Sequence, residues 1–253
     1  MHGSIYISDS IDWSCQLNSG LRHRWQSLPD QQRGNVCRDL CQRVHGTLVN
    51  APSWAGPLGR PGGFGALRFV AASSQRVDLG DLPSHAGAFW KSIWVRGTPS
   101  GTQVFYGPSD ATWWIGFSSG AISWNGSITT AGTYNDGAWH HVIVSRDASV
   151  LTIYVDGISR ASGAMGSTVT NGGVSIGSFG TVGFYFDGEL DDARHADGFA
   201  LGDNGAWAAY DDARRGSPLT LNWLRLAMAV GEAGAAASAF PWHYYQQMQA
   251  MAG

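Results

Sequence analysis

The sequence predicts an all-β protein, built as an antiparallel sandwich with a short helical C-terminal extension. Thirty-five glycines and twelve tryptophans suit many tight turns between aromatic-rich strands. Leu151, Ile153 and Val155 alternate with polar or amphipathic neighbours, and a period of two is typical of a half-buried strand. The pair Asp156-Gly157 follows at once and favours a tight turn between antiparallel strands. A chain of 253 residues can fold as one large sandwich.

The individual strands are predicted from short apolar and aromatic runs that end in Gly, Asn or Asp. In the first half they cover residues 66–70, 76–80, 89–95, 103–106, 113–117 and 121–124. In the second half they cover residues 139–144, 151–157, 173–177 and 186–192. The run at 89–95 is aromatic and β-branched, as expected of a core strand.

The ends of the chain differ from this strand-rich middle. Residues 1–18 are polar without a clear period and are predicted to be an N-terminal arm, and the sandwich is predicted to cover residues 19–204. Helical patterns at 206–215, 219–230 and 235–251 predict a helical tail over residues 205–253.

Composition and charge argue against several functions. The net charge of -3 gives no electrostatic footprint for nucleic acid or for an anionic membrane. No run is long and apolar enough to span a bilayer, and the N-terminus lacks the basic and apolar segments of a secretory signal. Three cysteines make a disulfide framework unexpected.

Four segments in order carry a family resemblance: W-H-H-V from Trp139, L-x-I-Y-V-D-G from Leu151, V-x-I-G from Val174 and F-x-G-x-L-D-D from Phe186. This series resembles the laminin-G-like branch of the concanavalin A-like jelly rolls, over about residues 19–211. The resemblance implies a jelly-roll fold, which hosts many unrelated activities.

The resemblance weakens after Asp192. The family usually has bulky apolar residues where this chain has Ala193, His195 and Ala196. Another element must therefore cover that strand, and the helix predicted at 206–215 follows it directly.

The sequence predicts no catalytic residue. Glycoside hydrolases of this superfamily use a Glu-x-Asp-x-Glu strand, which the run from Glu189 to Asp192 resembles in part. Ala193 stands at the position of the second glutamate, so the general acid is missing. His140 and His141 have no accompanying nucleophile motif, and we expect them to be packed or half-exposed sheet residues.

The resemblance also implies a structural calcium ion. Related jelly rolls bind one through an aspartate at the position of Asp191, and Asp39 is the second predicted ligand because it is the acidic residue of the opening loop. In the alternative interpretation, Asp191 and Asp192 cap turns and accept backbone hydrogen bonds.

Cys37, Cys41 and His45 lie four residues apart, which would allow a zinc site with Cys15 or His23 as the fourth ligand. The paired short spacings of structural zinc sites are missing. Small apolar thiols at the edge of the core are the expected alternative.

Aromatic residues are the predicted glycan ligands, because sugars stack their C–H faces on rings. Trp113, Trp114, Trp124 and Tyr185 are the candidates. Large aromatic residues also dominate cores. Adjacent Trp113 and Trp114 point to opposite faces of a strand, so we expect one of the two rings to be exposed.

The tail is the predicted assembly site, because its apolar residues exceed what a solvated appendage needs. Trp242, Tyr245, Met248 and Met251 could form an anchoring helix face. These features favour a non-catalytic surface or decoration protein of a bacteriophage virion, whose jelly roll faces outward and binds cell-surface glycans. Its predicted partners are other virion proteins and further copies of itself in a homo-oligomer. The alternative is a calcium-stabilised carbohydrate-binding module of a secreted or surface bacterial protein. A hydrolase or lyase would need two facing carboxylates.

Overall fold

The computed structural model describes residues 21–27, 34–41, 43–56, 60–63, 65–110, 112–166 and 168–214. The predicted arm over residues 1–18 and the helices predicted at 219–230 and 235–251 lie outside this part of the chain. Its strands, in chain order, are β1 (Leu21–Trp25), β2 (Val36–Cys37), β3 (Gly46–Val49), β4 (Ser53–Ala55), β5 (Ala66–Phe69), β6 (Arg76–Gly80), β7 (Phe89–Arg96), β8 (Thr102–Gly107), β9 (Ile115–Ser118), β10 (Ala121–Trp124), β11 (Ile128–Thr129), β12 (His140–Asp147), β13 (Val150–Val155), β14 (Ile158–Ala164), β15 (Val174–Ile176) and β16 (Gly188–Asp197). One helix, α1 (Asp203–Arg214), follows them.

The strands form two antiparallel sheets of eight strands each. The first sheet has the order β14-β13-β12-β7-β16-β5-β4, and β1 pairs with the second half of β16. The second sheet has the order β11-β10-β9-β8-β15-β6-β3-β2. The predicted all-β antiparallel jelly-roll sandwich is therefore confirmed.

The main core fills the space between the two sheets. Alternate residues of β7 point into it, and its aromatic centre contains Phe105, Phe117 and Phe186. Phe105 packs edge-to-face against both other rings, at centroid distances of 5.4 Å and 5.9 Å. Burial of these rings supplies much of the hydrophobic stabilisation of the sandwich.

Helix α1 packs on the outer face of the first sheet. Ala206 and Ala209 of the helix form a second buried cluster with Trp90 and Ala196 of the sheet. Small side chains on both surfaces let the helix approach the strand closely. The helix predicted at 206–215 thus covers β16 as expected, while Ala193 faces the main core, where Trp25 also lies.

Most hairpins follow from the sequence, but several strands were not predicted, among them the short β2, β4 and β11 and the longer β14. Asp156 and Gly157 have positive φ angles of 54° and 77°, as the predicted tight turn between β13 and β14 requires. The strand β14 was not predicted, because its sequence ISRASGA has no apolar alternation and most of its residues are exposed. None of the described residues forms a helix long and apolar enough to cross a membrane.

Candidate functional site

The four predicted glycan ligands separate into two pairs. Trp113 and Trp124 are 1% and 3% exposed, and their indole rings stack with centroids 5.2 Å apart inside the main core. Their predicted role in glycan binding is wrong, because neither ring can reach a ligand. Trp114 and Tyr185 are partly exposed. Trp113 and Trp114 thus have opposite environments, as their adjacency in a strand predicts.

Trp114 lies on the outer side of the second sheet, just before β9. Its backbone oxygen accepts a hydrogen bond from Asn125 N–H at 2.9 Å. A Cβ at Gly126 would lie 3.8 Å from Cζ2 of the indole. A Cβ at Gly107 would lie 3.3 Å from Trp114 Cβ and 3.0 Å from the ring of Phe179. Gly107 therefore leaves room for Phe179 beside Trp114, while Gly126 lies at ordinary contact distance from the indole.

The loop between β15 and β16 presents further apolar side chains, of which Phe179 lies close to Trp114. Val182 is 55% exposed and Phe184 is 52% exposed. Phe184 has a φ of 52°, a conformation that is uncommon for bulky residues and marks local strain. Its carbonyl oxygen accepts a hydrogen bond from Val104 N–H at 2.9 Å, and its ring lies 6.3 Å from that of Phe179. We call Trp114, Phe179, Val182 and Phe184 the aromatic surface.

Polar groups of two neighbouring loops border the aromatic surface. Asp110 Oδ1 accepts a hydrogen bond of 2.8 Å from the hydroxyl of Thr112, which lies 2.7 Å from the hydroxyl of Thr170. Asn125 Nδ2 donates to the carbonyl oxygen of Thr112 at 3.5 Å. Partial burial opposes ionisation of Asp110, but hydrogen bonds from Thr170 and Thr112 outweigh it and lower its pKa. Hydroxyls, an amide and a carboxylate are the groups that orient sugar hydroxyls.

The acidic residues Glu189, Asp191 and Asp192 of β16 are held by contacts that stabilise the fold. Glu189 Oε1 accepts hydrogen bonds from Arg68, and its Oε2 accepts one of 3.0 Å from Arg96. Burial would raise the pKa of Glu189, but these two arginines hold it below its ordinary value. Asp191 accepts a hydrogen bond from Ser27 N–H at 2.8 Å, and its other oxygen lies 2.7 Å from Nε of Arg60.

Asp192 lies at a bulge of β16, where its φ is 50° and the register with β7 shifts. Its carboxylate accepts hydrogen bonds from the guanidinium groups of Arg24 and Arg194 at 2.7 Å and 2.8 Å. Arg194 also donates to Asp212 of helix α1 at 2.9 Å. Burial would raise the pKa of Asp192, but the two arginines hold it well below its ordinary value. We call Arg24, Arg60, Asp191, Asp192 and Arg194 the buried charge layer.

Asp39 occupies a separate network of N–H donors. Its carboxylate accepts hydrogen bonds from the backbone of Arg24 at 2.9 Å, Cys41 at 2.9 Å and Val44 at 3.1 Å, and from His23 Nδ1 at 2.8 Å. Burial would raise the pKa of Asp39, but these donors hold it below its ordinary value. Calcium requires several oxygen ligands around one point. The donors around Asp39 and Asp191 do not fit that ion.

The predicted zinc ligands are not brought together in the described residues. Cys37 is part of the main core, and Cys41 packs against the second cluster. Burial raises the pKa of both thiols to about 12. This environment matches the alternative interpretation, in which the cysteines fill the edge of the core. Cys15 lies outside the described residues.

A buried polar cluster that sequence reasoning missed lies at one end of the main core. His85 Nδ1 and His195 Nε2 lie 2.7 Å and 3.3 Å from Oδ1 of Asp197, and the two imidazoles contact each other through their Nε2 atoms. Lys91, the single lysine of the sequence, places Nζ 4.7 Å from the ring centroid of Trp113. Burial lowers the pKa of Lys91 to about 7 and lowers the pKa of both histidines.

The two neighbouring histidines of β12 are sheet residues, as predicted. His140 is partly exposed, and its Nδ1 lies 2.8 Å from a carboxylate oxygen of Asp156. His141 is buried, and its ring packs 5.0 Å from that of Trp94.

Comparison with known proteins finds a family model that matches part of the sandwich. Residues 79–201 match the sequence model of a laminin-G family, described as the concanavalin A-like lectin/glucanases superfamily. No curated protein sequence matches the chain significantly.

Several solved structures share the fold at low sequence identity. Domain 4 of AbnA, an extracellular arabinanase from Geobacillus stearothermophilus solved in complex with arabinotriose, is 18% identical with a TM-score of 0.56, and the match covers 75% of this chain and 97% of that domain. The binding domain of Paraclostridial Mosquitocidal Protein 1 is 15% identical with a TM-score of 0.58, over 80% of this chain and 56% of that one.

A third similar structure is the ligand-binding domain of botulinum neurotoxin serotype D, in complex with N-acetylneuraminic acid. It is 11% identical with a TM-score of 0.55, over 77% of this chain and 52% of that one. This chain therefore spans about half the length of the two toxin domains. The predicted resemblance is confirmed: residues 79–201 match the laminin-G model of the concanavalin A-like lectin/glucanases superfamily.

Proposed function

We propose that the sandwich is a non-catalytic carbohydrate-binding domain and that the aromatic surface is its binding site. One observation carries this proposal: partly exposed Trp114 and strained, half-exposed Phe184 both lie close to Phe179. Exposed apolar side chains grouped in this way mark interaction sites. Strain at an exposed ring persists when the surrounding structure holds it there, which often accompanies a binding role.

The bordering groups favour a sugar over a purely apolar ligand. Thr112, Thr170, Asn125 and Asp110 supply hydroxyl, amide and carboxylate groups next to the rings. Such a combination lets the rings stack on the C–H face of a sugar while its hydroxyls are hydrogen bonded. Two of the similar structures are carbohydrate complexes, one with arabinotriose and one with N-acetylneuraminic acid, which supports the proposal at the level of the fold.

The environment of the acidic run supports a non-catalytic role. A retaining or inverting glycosidase needs one carboxyl group with a raised pKa and a second that faces the same bond. Glu189 is held between Arg68 and Arg96 with a lowered pKa, and Asp192 is held by Arg24 and Arg194. Burial raises the pKa of Asp191, but its carboxylate is fully buried against Arg60 and is not open to a substrate. These carboxylates stabilise the fold through arginine contacts.

Isothermal titration with a panel of oligosaccharides tests the proposal. We expect binding by the wild-type protein to weaken at least about tenfold in Trp114→Ala, because loss of a stacked ring removes roughly 1.4 kcal/mol or more. Trp207→Ala is the matched control, since Trp207 is 50% exposed on helix α1, and it should bind like the wild type. Equal loss in both variants, or no binding by the wild type, contradicts the proposal.

We also propose, from the sequence, that the tail attaches this domain to a virion, either through other virion proteins or through copies of itself. Trp242, Tyr245, Met248 and Met251 lie outside the described residues, so the support is their apolar content alone. The full chain should then be larger than a monomer in light scattering, and Trp242→Ala with Met248→Ala should reduce its mass. A monomeric full chain contradicts homo-oligomer formation.

A further inference from the structure

The charge distribution around the aromatic surface distinguishes between classes of saccharide. Two stretches of the chain, residues 97–138 and 161–193, supply the aromatic surface, and neither contains a lysine or an arginine. On the neighbouring strand β6, the guanidinium group of Arg76 is held by the carboxylate of Asp78 at 2.6 Å. Trp114 and Asn125 come from the first stretch, and Phe179, Val182 and Phe184 come from the second. We propose that the aromatic surface binds uncharged saccharides and discriminates against carboxylated ones. This inference rests on the proposed function.

Recognition of an anionic sugar requires positively charged or strongly donating groups. Proteins select carboxylates with arginine or lysine, because charge-assisted hydrogen bonds are about twice as strong as neutral ones. The stretches that form the aromatic surface provide neither residue. The bordering side chains Thr112, Thr170 and Asn125 can donate hydrogen bonds to a sugar, but they are neutral and supply no positive charge to balance that of a carboxylate.

The same border carries negative charge. Asp110 and Asp81 lie on either side of Gly172, since a Cβ at that glycine would be 3.5 Å from Asp110 Oδ2 and 3.9 Å from Asp81 Oδ1. Asp81 Oδ1 accepts a hydrogen bond from Gly173 N–H at 2.8 Å. Both aspartates are exposed, and Asp110 is ionised at neutral pH because hydrogen bonds lower its pKa. The exposed carboxylate of Asp110, hydrogen-bonded to Thr112 two residues before Trp114, repels a carboxylated ligand.

Asp110 also has a positive role in the binding of neutral sugars. Its Oδ1 already accepts from the backbone and hydroxyl of Thr112, at 3.3 Å and 2.8 Å. A carboxylate offers about four acceptor positions in total, so sites stay open for sugar hydroxyls. A hydroxyl donates to this carboxylate, whereas the carboxylate of a sialic or uronic acid has no proton to donate at neutral pH.

The experiment compares matched saccharides on the full chain. The pairs are lactose with 3′-sialyllactose, and maltotriose with trigalacturonic acid; arabinotriose is added as a further neutral probe. We expect at least one neutral saccharide to bind in a Trp114-dependent way. Carboxylated saccharides should bind at least about tenfold more weakly at low salt. Because the repulsion is electrostatic, the difference should narrow at about 0.5 M salt.

The variant Asp110→Asn tests whether the charge of this side chain, and not its size, weakens the binding of carboxylated saccharides. This variant keeps the size of the side chain and removes one negative charge, so it should narrow the difference between lactose and 3′-sialyllactose. Tighter binding of a carboxylated saccharide than of its neutral partner, with loss in Trp114→Ala, would overturn this inference and leave the proposed function standing. Absence of Trp114-dependent binding for every probe would overturn the proposed function and, with it, this inference.

Discussion

The two outer faces of the sandwich present the same alternating strands to different surroundings. On the first sheet, helix α1 covers the outer face, and the charged side chains below it form the buried charge layer. On the second sheet, Trp114 and the loop that carries Phe184 stay accessible to solvent. Strand alternation therefore decides which side chains point outward. Whether another element, such as helix α1, covers that face decides whether those side chains stabilise the fold or can contact a ligand.

Helix α1 is held in place by the charges that it covers. Arg60 Nη1 donates to the carbonyl oxygen of Ala213 at 3.2 Å, and Arg194 donates to Asp212 at 2.9 Å. These contacts satisfy groups that would otherwise be buried without partners. Removal of one member should therefore destabilise this side of the molecule far more than a change on the aromatic surface.

The largest expected effect comes from Asp192→Asn. This change leaves Arg24 and Arg194 buried without the carboxylate that joins them, and breaking a buried ion pair costs about 3–5 kcal/mol. Urea unfolding at neutral pH measures the loss in the free energy of unfolding. Asp110→Asn at the border of the aromatic surface is the matched control and should lower that free energy by no more than about 1 kcal/mol, because its carboxylate is exposed and accepts bonds only at the surface. Similar losses in both variants would remove the difference between the two faces.

A second, smaller effect concerns Lys91, which lies in neither outer face but between the sheets beside His195 and Asp197. Its pKa is about 7 in the folded protein against 10.5 in a model peptide. Between these values the unfolded chain holds the proton and the folded protein does not, so stability rises with pH, by up to about 1.4 kcal/mol per pH unit.

Urea unfolding at pH 7.5 and 8.5 tests whether the free energy of unfolding rises with pH. The wild type should be more stable at the higher pH, and Lys91→Met should lose most of that difference, because it removes the titrating amine from the same aromatic surroundings. The histidines beside it titrate below this window in both states, since burial lowers their pKa when folded. A wild type whose stability falls across the window would contradict the buried, deprotonated amine.

The smallest expected effect on stability comes from Phe184→Asn. Asparagine tolerates the left-handed φ of this position better than phenylalanine, and this gain offsets the loss of a ring that is only half buried. The free energy of unfolding should change by less than about 1 kcal/mol, whereas saccharide affinity should fall. Unchanged affinity would remove Phe184 from the binding site and reduce the aromatic surface to Trp114 and its nearest neighbours.

The sequence predicts the sandwich well because strand alternation and tight turns are local. The runs at 89–95 and 151–157 and the Asp156-Gly157 turn lie where the pattern places them. Adjacency of Trp113 and Trp114 predicts opposite faces, but it cannot tell which face is covered. The prediction that Trp124 binds glycans was wrong because its ring stacks on that of Trp113 inside the main core. Local sequence does not reveal a contact between two separate segments of the chain.

The contacts of the acidic run could not be predicted from local patterns. Arg24 and Asp192 are separated by 168 positions, and they meet only because β1 pairs with the second half of β16. Without that pairing, Asp191 and Asp192 resemble calcium or catalytic carboxylates. The exposure of Phe184 follows from a backbone angle that the sequence signals only through the glycines of its loop.

The most direct test of the account is an NMR titration that follows the indole N–H signals of the tryptophans while a neutral oligosaccharide that binds is added. The signal of Trp114 should shift progressively with ligand concentration, while the signals of buried Trp113 and of Trp207 on the opposite face stay in place. A shift of Trp207 with no shift of Trp114 would contradict the assignment of the binding site to the aromatic surface.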